Sequence, residues 1–179
     1  MNKRIWIPLA VGLAVALFLR ARSASASTGA AGGVVKRISI ALDAEQRQNA
    51  TLIETKFRAA GLPDNLIAAA IVNAYAESKL HATAVGDSGR SVGLFQLNDN
   101  GAGSGLTTEY RLDPSNNIDT ILTREVLAKF GETLRGRAAM SATVYELAQI
   151  FSRDIERPGD TAGCMAARAA LSLKMFPIQ

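Results

Sequence analysis

The chain has 179 residues, 48% hydrophobic, 20% charged and 6% aromatic, which suits one globular domain with an appendage and not two full domains. One cysteine and one histidine exclude an intramolecular disulfide framework and a Cys/His zinc cluster, and any histidine-assisted nucleophile would have to use His81. The formal charge of +4 resides in residues 1–40, with six basic and no acidic side chains; the remaining 139 residues carry 14 basic and 16 acidic groups, so no nucleic-acid surface is expected.

Residues 5–19, IWIPLAVGLAVALFL, are uncharged throughout. As a helix they would span roughly 22 Å, less than the roughly 30 Å of a bilayer core. One reading is a secretory signal cleaved after Ala24-Ser25-Ala26. The other is a retained anchor whose Lys3, Arg4, Arg20 and Arg22 reach the two interfaces. The arginines between the apolar stretch and the small-residue site favour the anchor, so a membrane helix is expected within 1–22. Residues 23–37 are dominated by Ser, Ala and Gly and are expected as a flexible tether. The folded domain is then 38–179.

Leu42, Ala50, Ile53, Phe57 and Ala60 recur at helical spacing behind Asp43, a plausible N-cap, and Gly61 with Pro63 ends the helix. A second helix is expected over 64–78, with Ile67, Ala70, Ile71, Ala74 and Glu77 along one face. Residues 81–105 are glycine-rich, with short β-prone pieces such as Ser91–Leu97, and predict a small hairpin or irregular lobe. Helices resume over about 115–130, 142–154 and 161–175, one of them opened by the capping box Thr143-x-x-Glu146. The class is mostly α (α+β), with a small β insert after the second helix.

Glu77 is the most informative residue of the body. It ends an apolar helix just before the glycine-rich lobe. A carboxyl held among apolar neighbours is disfavoured in its charged form and can keep a proton to donate to a leaving oxygen. Its position alone also fits a salt-bridged glutamate at a helix end.

The segment Ala76-Glu77-Ser78, followed by Ala84-Val85-Gly86-Asp87-Ser88-Gly89-Arg90-Ser91-Val92-Gly93-Leu94-Phe95-Gln96-Leu97, resembles the catalytic stretch of lysozyme-like lytic transglycosylases, a glutamate-serine pair followed by G-L-x-Q-hydrophobic. Leu112-Asp113-Pro114-Ser115-Asn116-Asn117-Ile118 is similar to that family's later D-P-x-x-N-I segment. The run A-V-G-D-S-G-x-S-x-G-L-F-Q-L, and the helix from Thr143 through Phe151 to Glu156-Arg157-Pro158, resemble the phage-tail type of lysozyme domain more closely. The resemblance covers roughly residues 60–160. It implies a two-lobed lysozyme-like fold with the glycan between helical and β parts. It further implies that Glu77 is general acid, and later base, at the β-1,4 bond between N-acetylmuramic acid and N-acetylglucosamine.

A two-carboxylate glycosidase needs a second acid. Asp87, in a G-D-S-G turn, and Asp99, in N-D-N-G, lie where it would sit, although each also fits a plain turn role. The transglycosylase route needs none, because the muramic acid C6 hydroxyl attacks internally. Ser88 and Ser91 are candidates to contact the N-acetyl group or that hydroxyl. Gln96 is expected to line the cleft or to brace Glu77, and Gly93 to permit a close approach of helix or sugar. His81 reads as an exposed turn residue or a modulator of Glu77, Tyr145 as a packing residue, Glu156 and Arg157 as a helix-end charge pair, and Cys164 as a small buried hydrophobe. The Tyr-Asn motif of the transglycosylases has no counterpart here.

The sequence thus predicts a membrane-tethered peptidoglycan-cleaving domain, with no metal or organic cofactor. Its partners would be peptidoglycan glycan strands, the membrane through residues 5–19, and virion or envelope-complex proteins. A phage particle is the first setting and a bacterial envelope secretion machine the second. The rival from another class is a non-catalytic glycan-binding module that kept the lysozyme shape.

Overall fold

The structure, a computed structural model, describes residues 33–157 and 159–177. The expected membrane segment 5–19 and the expected tether up to residue 32 lie outside the described residues. Among those described, no helix is long and apolar enough to cross a membrane.

The folded unit begins before residue 38. Val34–Arg37 form a 3-10 helix in which Val34 and Val35 are buried. Their backbone N–H groups donate to the two carboxylate oxygens of Glu54, at 3.0 and 2.9 Å. The end of the expected tether is therefore part of the core. Two adjacent valines supply the apolar surface that the Ser/Ala/Gly stretch before them lacks.

Helix α1 (Ala44–Ala59) starts at a reciprocal capping box between Asp43 and Gln46 and buries Ala50, Ile53 and Phe57. Helix α2 (Asp64–Ser78) is the centre of the fold. Every residue from Leu66 to Ala74 is buried, and α2 packs against α1 and against the helices near the C-terminus. A helix apolar all round belongs inside a core, and its alanines let neighbours come close. It stops at Lys79 and Leu80, both in the left-handed region, which turn the chain into the β insert.

Three two-residue strands, β1 (Val85–Gly86), β2 (Ser91–Val92) and β3 (Leu97–Asn98), form an antiparallel sheet in that order. The β-prone run 91–97 is thus two strands folded onto each other, with the G-L-F-Q stretch as their turn.

Short helix α3 (Thr108–Leu112) was not anticipated. Helix α4 (Pro114–Ile121) is capped by Asp113 with proline in its first turn, and continues as a π-helical segment, Leu122–Leu127. Helix α5 (Gly131–Ala139) is a second addition to the sequence reading. Helix α6 (Val144–Phe151) opens with the Thr143–Glu146 capping box and runs into another π-helical segment, Ser152–Glu156. Helix α7 (Thr161–Met175) is capped by Asp160.

Tyr145 does not pack inside: it is 39% exposed, in the first turn of α6, where it lines a surface depression with Ser172 and Leu173 of α7. Cys164 is half-buried. The mostly helical class with a small β insert is as expected.

Candidate active site

Glu77 occupies the last turn of α2, one residue before the helix ends. Its side chain is 24% exposed. Ser78, beside it, is buried and donates its hydroxyl to the carbonyls of Ala74 and Leu94, each at 2.9 Å. The second of these bonds ties the helix end to the turn between β2 and β3.

That turn is held from the other side by Asn117 of α4. Its Oδ1 accepts the N–H of Phe95 at 3.0 Å, while its Nδ2 donates to the carbonyls of Val92 and Arg111. Gly93 adopts φ +83°, and a Cβ there would strike the Asn117 side chain and the Arg111 carbonyl. The close approach anticipated at Gly93 is therefore to a helix. Phe95 then stacks on Phe151 of α6, with ring centroids 6.0 Å apart.

A cleft of about 480 Å³ opens between the end of α2 and this sheet. Glu77 and Glu156 face Asp87, Ser91, Gln96 and Asn98 across it. Asp87 Oδ2 accepts the hydroxyl of Ser91 at 2.5 Å, and Asn98 Nδ2 donates to Ser91 Oγ at 3.0 Å. The polar edge of the sheet is thereby pre-ordered. Gln96, with φ 45°, donates its amide to the carbonyls of Ala84 and Gly93, so it lines the cleft and braces the sheet.

The other candidates sit elsewhere. Ser88 is exposed at the tip of the β1–β2 turn with φ 55°. Asp99 pairs with Arg90 at 3.2 Å on the surface. His81 Nδ1 lies 3.0 Å from Glu45 Oε2, which directs it to α1. Among the described residues, no group of three or more His, Cys, Asp or Glu could hold a metal ion.

Three residues of the site lie outside the site candidates of the sequence: Arg168 and Asn73, which no motif marks, and Glu156, which the sequence marks only in Glu156-Arg157-Pro158 and as half of a helix-end charge pair. Arg168 of α7 is 8% exposed, and its guanidinium contacts Glu77 Oε1, Glu156 Oε2 at 3.2 Å and Asn73 Oδ1 at 3.1 Å. Asn73, fully buried in α2, donates its amide to the carbonyls of Ala69 and Ala148. Glu156 is not paired with its neighbour Arg157, contrary to expectation. Its left-handed successor swings away, and Arg157 reaches Glu125 at 3.2 Å instead. Burial pushes the Glu156 carboxyl up to about 8, the nearby Glu77 carboxylate adds to the rise, and Arg168 opposes it. A polar residue in an otherwise apolar run, Asn73 within Ala-Ala-Ala-Ile-Val-Asn-Ala, was the available clue to a buried polar network.

Chemically, the cleft offers a partly exposed carboxyl on a rigid helix end, a buried cation and second carboxyl behind it, and a preset hydrogen-bonding edge opposite. No individual curated protein matches the chain significantly. The family profile of phage tail lysozymes does match it, over residues 48–176, a span that holds Glu77, the sheet, Asn117, Glu156 and Arg168. The chain belongs to the phage tail lysozyme family, whose lysozyme-like domains degrade peptidoglycan.

Proposed function

We propose that this domain cleaves the β-1,4 bond between N-acetylmuramic acid and N-acetylglucosamine, with Glu77 as general acid and then base, in a virion-associated enzyme that opens the wall locally. The observation that carries this reading is the placement of Glu77. Its carboxyl is anchored on a rigid helix end, is partly shielded from water and opens onto a cleft with a polar far wall. General acid catalysis requires that arrangement, because the proton must be delivered to a glycosidic oxygen held in a fixed pose.

Glu77 protonates the leaving oxygen as the bond to C1 breaks. The muramic acid C6 hydroxyl then closes on C1, and Glu77 takes its proton, leaving a 1,6-anhydro end. This route needs no second carboxylate; Asp87, which lines the cleft and accepts the Ser91 hydroxyl on Oδ2, is the group that two-carboxylate hydrolysis would call on. Asp99 is paired with Arg90 on the surface and has no part in the proposal.

The test is a digest of purified peptidoglycan by the full chain, wild type and Glu77→Gln, with products read by mass spectrometry. Anhydro-muramic ends that disappear in the variant are the expected result. Reducing muramic ends would replace the internal attack by hydrolysis and bring Asp87 forward as the second carboxylate. Equal product from the variant would remove Glu77 from the chemistry.

A further inference from the structure

Two carboxylates and one guanidinium meet behind the cleft. Arg168 Nη2 contacts Glu77 Oε1 and Glu156 Oε2 together. Glu156 is the deeper of the two, its side chain 6% exposed against 24% for Glu77. Its other oxygen, Oε1, is buried with no donor facing it. Two negative charges beside one positive charge, away from water, leave a charge uncompensated, and such a group takes up a proton instead. A protonated Glu156 turns from acceptor to donor, and the Glu77 carboxyl shares the same Arg168 Nη2 with it.

We propose that Glu156 is a positioning residue for the reaction: it keeps the single proton of the Glu77–Glu156 pair in the empty cleft and yields it to Glu77 when glycan fills it. The inference rests on the role of Glu77 proposed above. The charged groups around Glu156 are Glu77 from α2, Arg168 from α7, Asp87 across the cleft and, on its own segment, Arg157, which is engaged by Glu125. In the empty cleft, water reaches Glu77 more than Glu156, so the charge sits on Glu77 and the proton on Glu156. A bound sugar strips that water from Glu77. Its charged form then loses hydration, while the Arg168 guanidinium, in contact with both carboxyls, can stabilise the charge on either, so the lost hydration decides and the proton crosses to Glu77. Glu77 gives it to the glycosidic oxygen as the C1–O bond breaks, and regains one from the C6 hydroxyl as O6 bonds to C1. The pair ends with the one proton it began with.

The experiment is a pH profile of peptidoglycan cleavage by the full chain, for wild type, Glu156→Gln and Glu77→Gln. It is run with a ¹³C NMR titration of wild type labelled at the glutamate carboxyls. The expected wild-type result is a glutamate signal titrating near pH 8 and an alkaline limb of activity in the same region. In Glu156→Gln, kcat is expected to fall about tenfold or more with KM within about twofold, and the alkaline limb to move down by more than about one pH unit. A Glu156→Gln enzyme with the wild-type profile, beside an inactive Glu77→Gln, overturns the inference and leaves the role of Glu77 standing. Wild-type glutamates that all titrate below about pH 6 overturn it whether or not Glu156→Gln folds. An active Glu77→Gln removes the functional reading and this inference with it.

Discussion

Ser78 Oγ donates to the backbone carbonyl of Leu94 at 2.9 Å, sixteen residues along the chain, so the residue after Glu77 is the bolt between helix α2 and the β insert. Removing the hydroxyl leaves a buried carbonyl without its donor, at a cost of about 1–3 kcal/mol. Ser78→Ala is therefore expected to lower the denaturation midpoint. It should lower kcat more than its stability loss explains, since the two walls of the cleft lose their common reference. Melting curves and cleavage rates on the same preparations check this. A destabilised Ser78→Ala with full kcat would show that the bolt serves stability alone.

Two glycines of the insert should respond differently to alanine. Gly93 combines φ +83° with a Cβ path blocked by Asn117 and the Arg111 carbonyl, whereas Gly89, at φ +94°, has nothing within 4 Å of a Cβ. Gly89→Ala carries only the left-handed penalty, roughly 1–2 kcal/mol. Gly93→Ala must also displace the Asn117 bonds to Phe95 and Val92, and is expected to exceed it by about 2 kcal/mol or more. Urea midpoints of the two variants give the comparison directly.

The pH dependence of stability should have an unusual limb. Glu156 holds its proton in the folded state up to about 8, against an ordinary 4.5 when unfolded. Between those values the folded state binds more protons, so its stability falls as pH rises, by on the order of a few kcal/mol across the window. Glu54 acts oppositely. Burial raises its pKa, but the N–H groups of Val35 and Val34 and the Arg58 guanidinium lower it further, so its net value lies below 4.5. That contribution is present above 4.5 and lost as pH falls through the lowered value. Urea unfolding of wild type from pH 5 to 9 should show a declining midpoint, flattened in Glu156→Gln. A midpoint that climbs steadily to pH 8 would contradict the assignment.

Truncation tests where the domain begins. A chain starting at residue 38 discards Val34 and Val35 and leaves the Glu54 carboxylate without the two N–H groups it accepts. Burying each valine is worth about 1.5 kcal/mol or more, so this chain should be less stable by about 3 kcal/mol than one starting at residue 32. Equal thermal midpoints would return those residues to the tether.

Much of the local structure was legible in the residues. Asp43 and Thr143 mark helix starts because their side chains satisfy amides that only a helix N-terminus leaves free, and Gly61 with Pro63 breaks the chain between α1 and α2 for equally local reasons. Glu77 stood out by its place at the end of an apolar helix. The helices α3 and α5 were not legible, since each is short, and α5 buries only Gly131, Leu134 and Ala138. The grouping of Glu77 with Glu156 and Arg168 lay further out of reach. The Arg168–Glu77 contact spans 91 residues, and in sequence Arg168 is one more basic residue on an alanine-rich helix. What converts it into the counter-ion of the site is burial against α2. The strength of a charge contact, and the identity of the group that must hold a proton, depend on how much water the surrounding helices exclude, and that is set only when α2, α6 and α7 pack together.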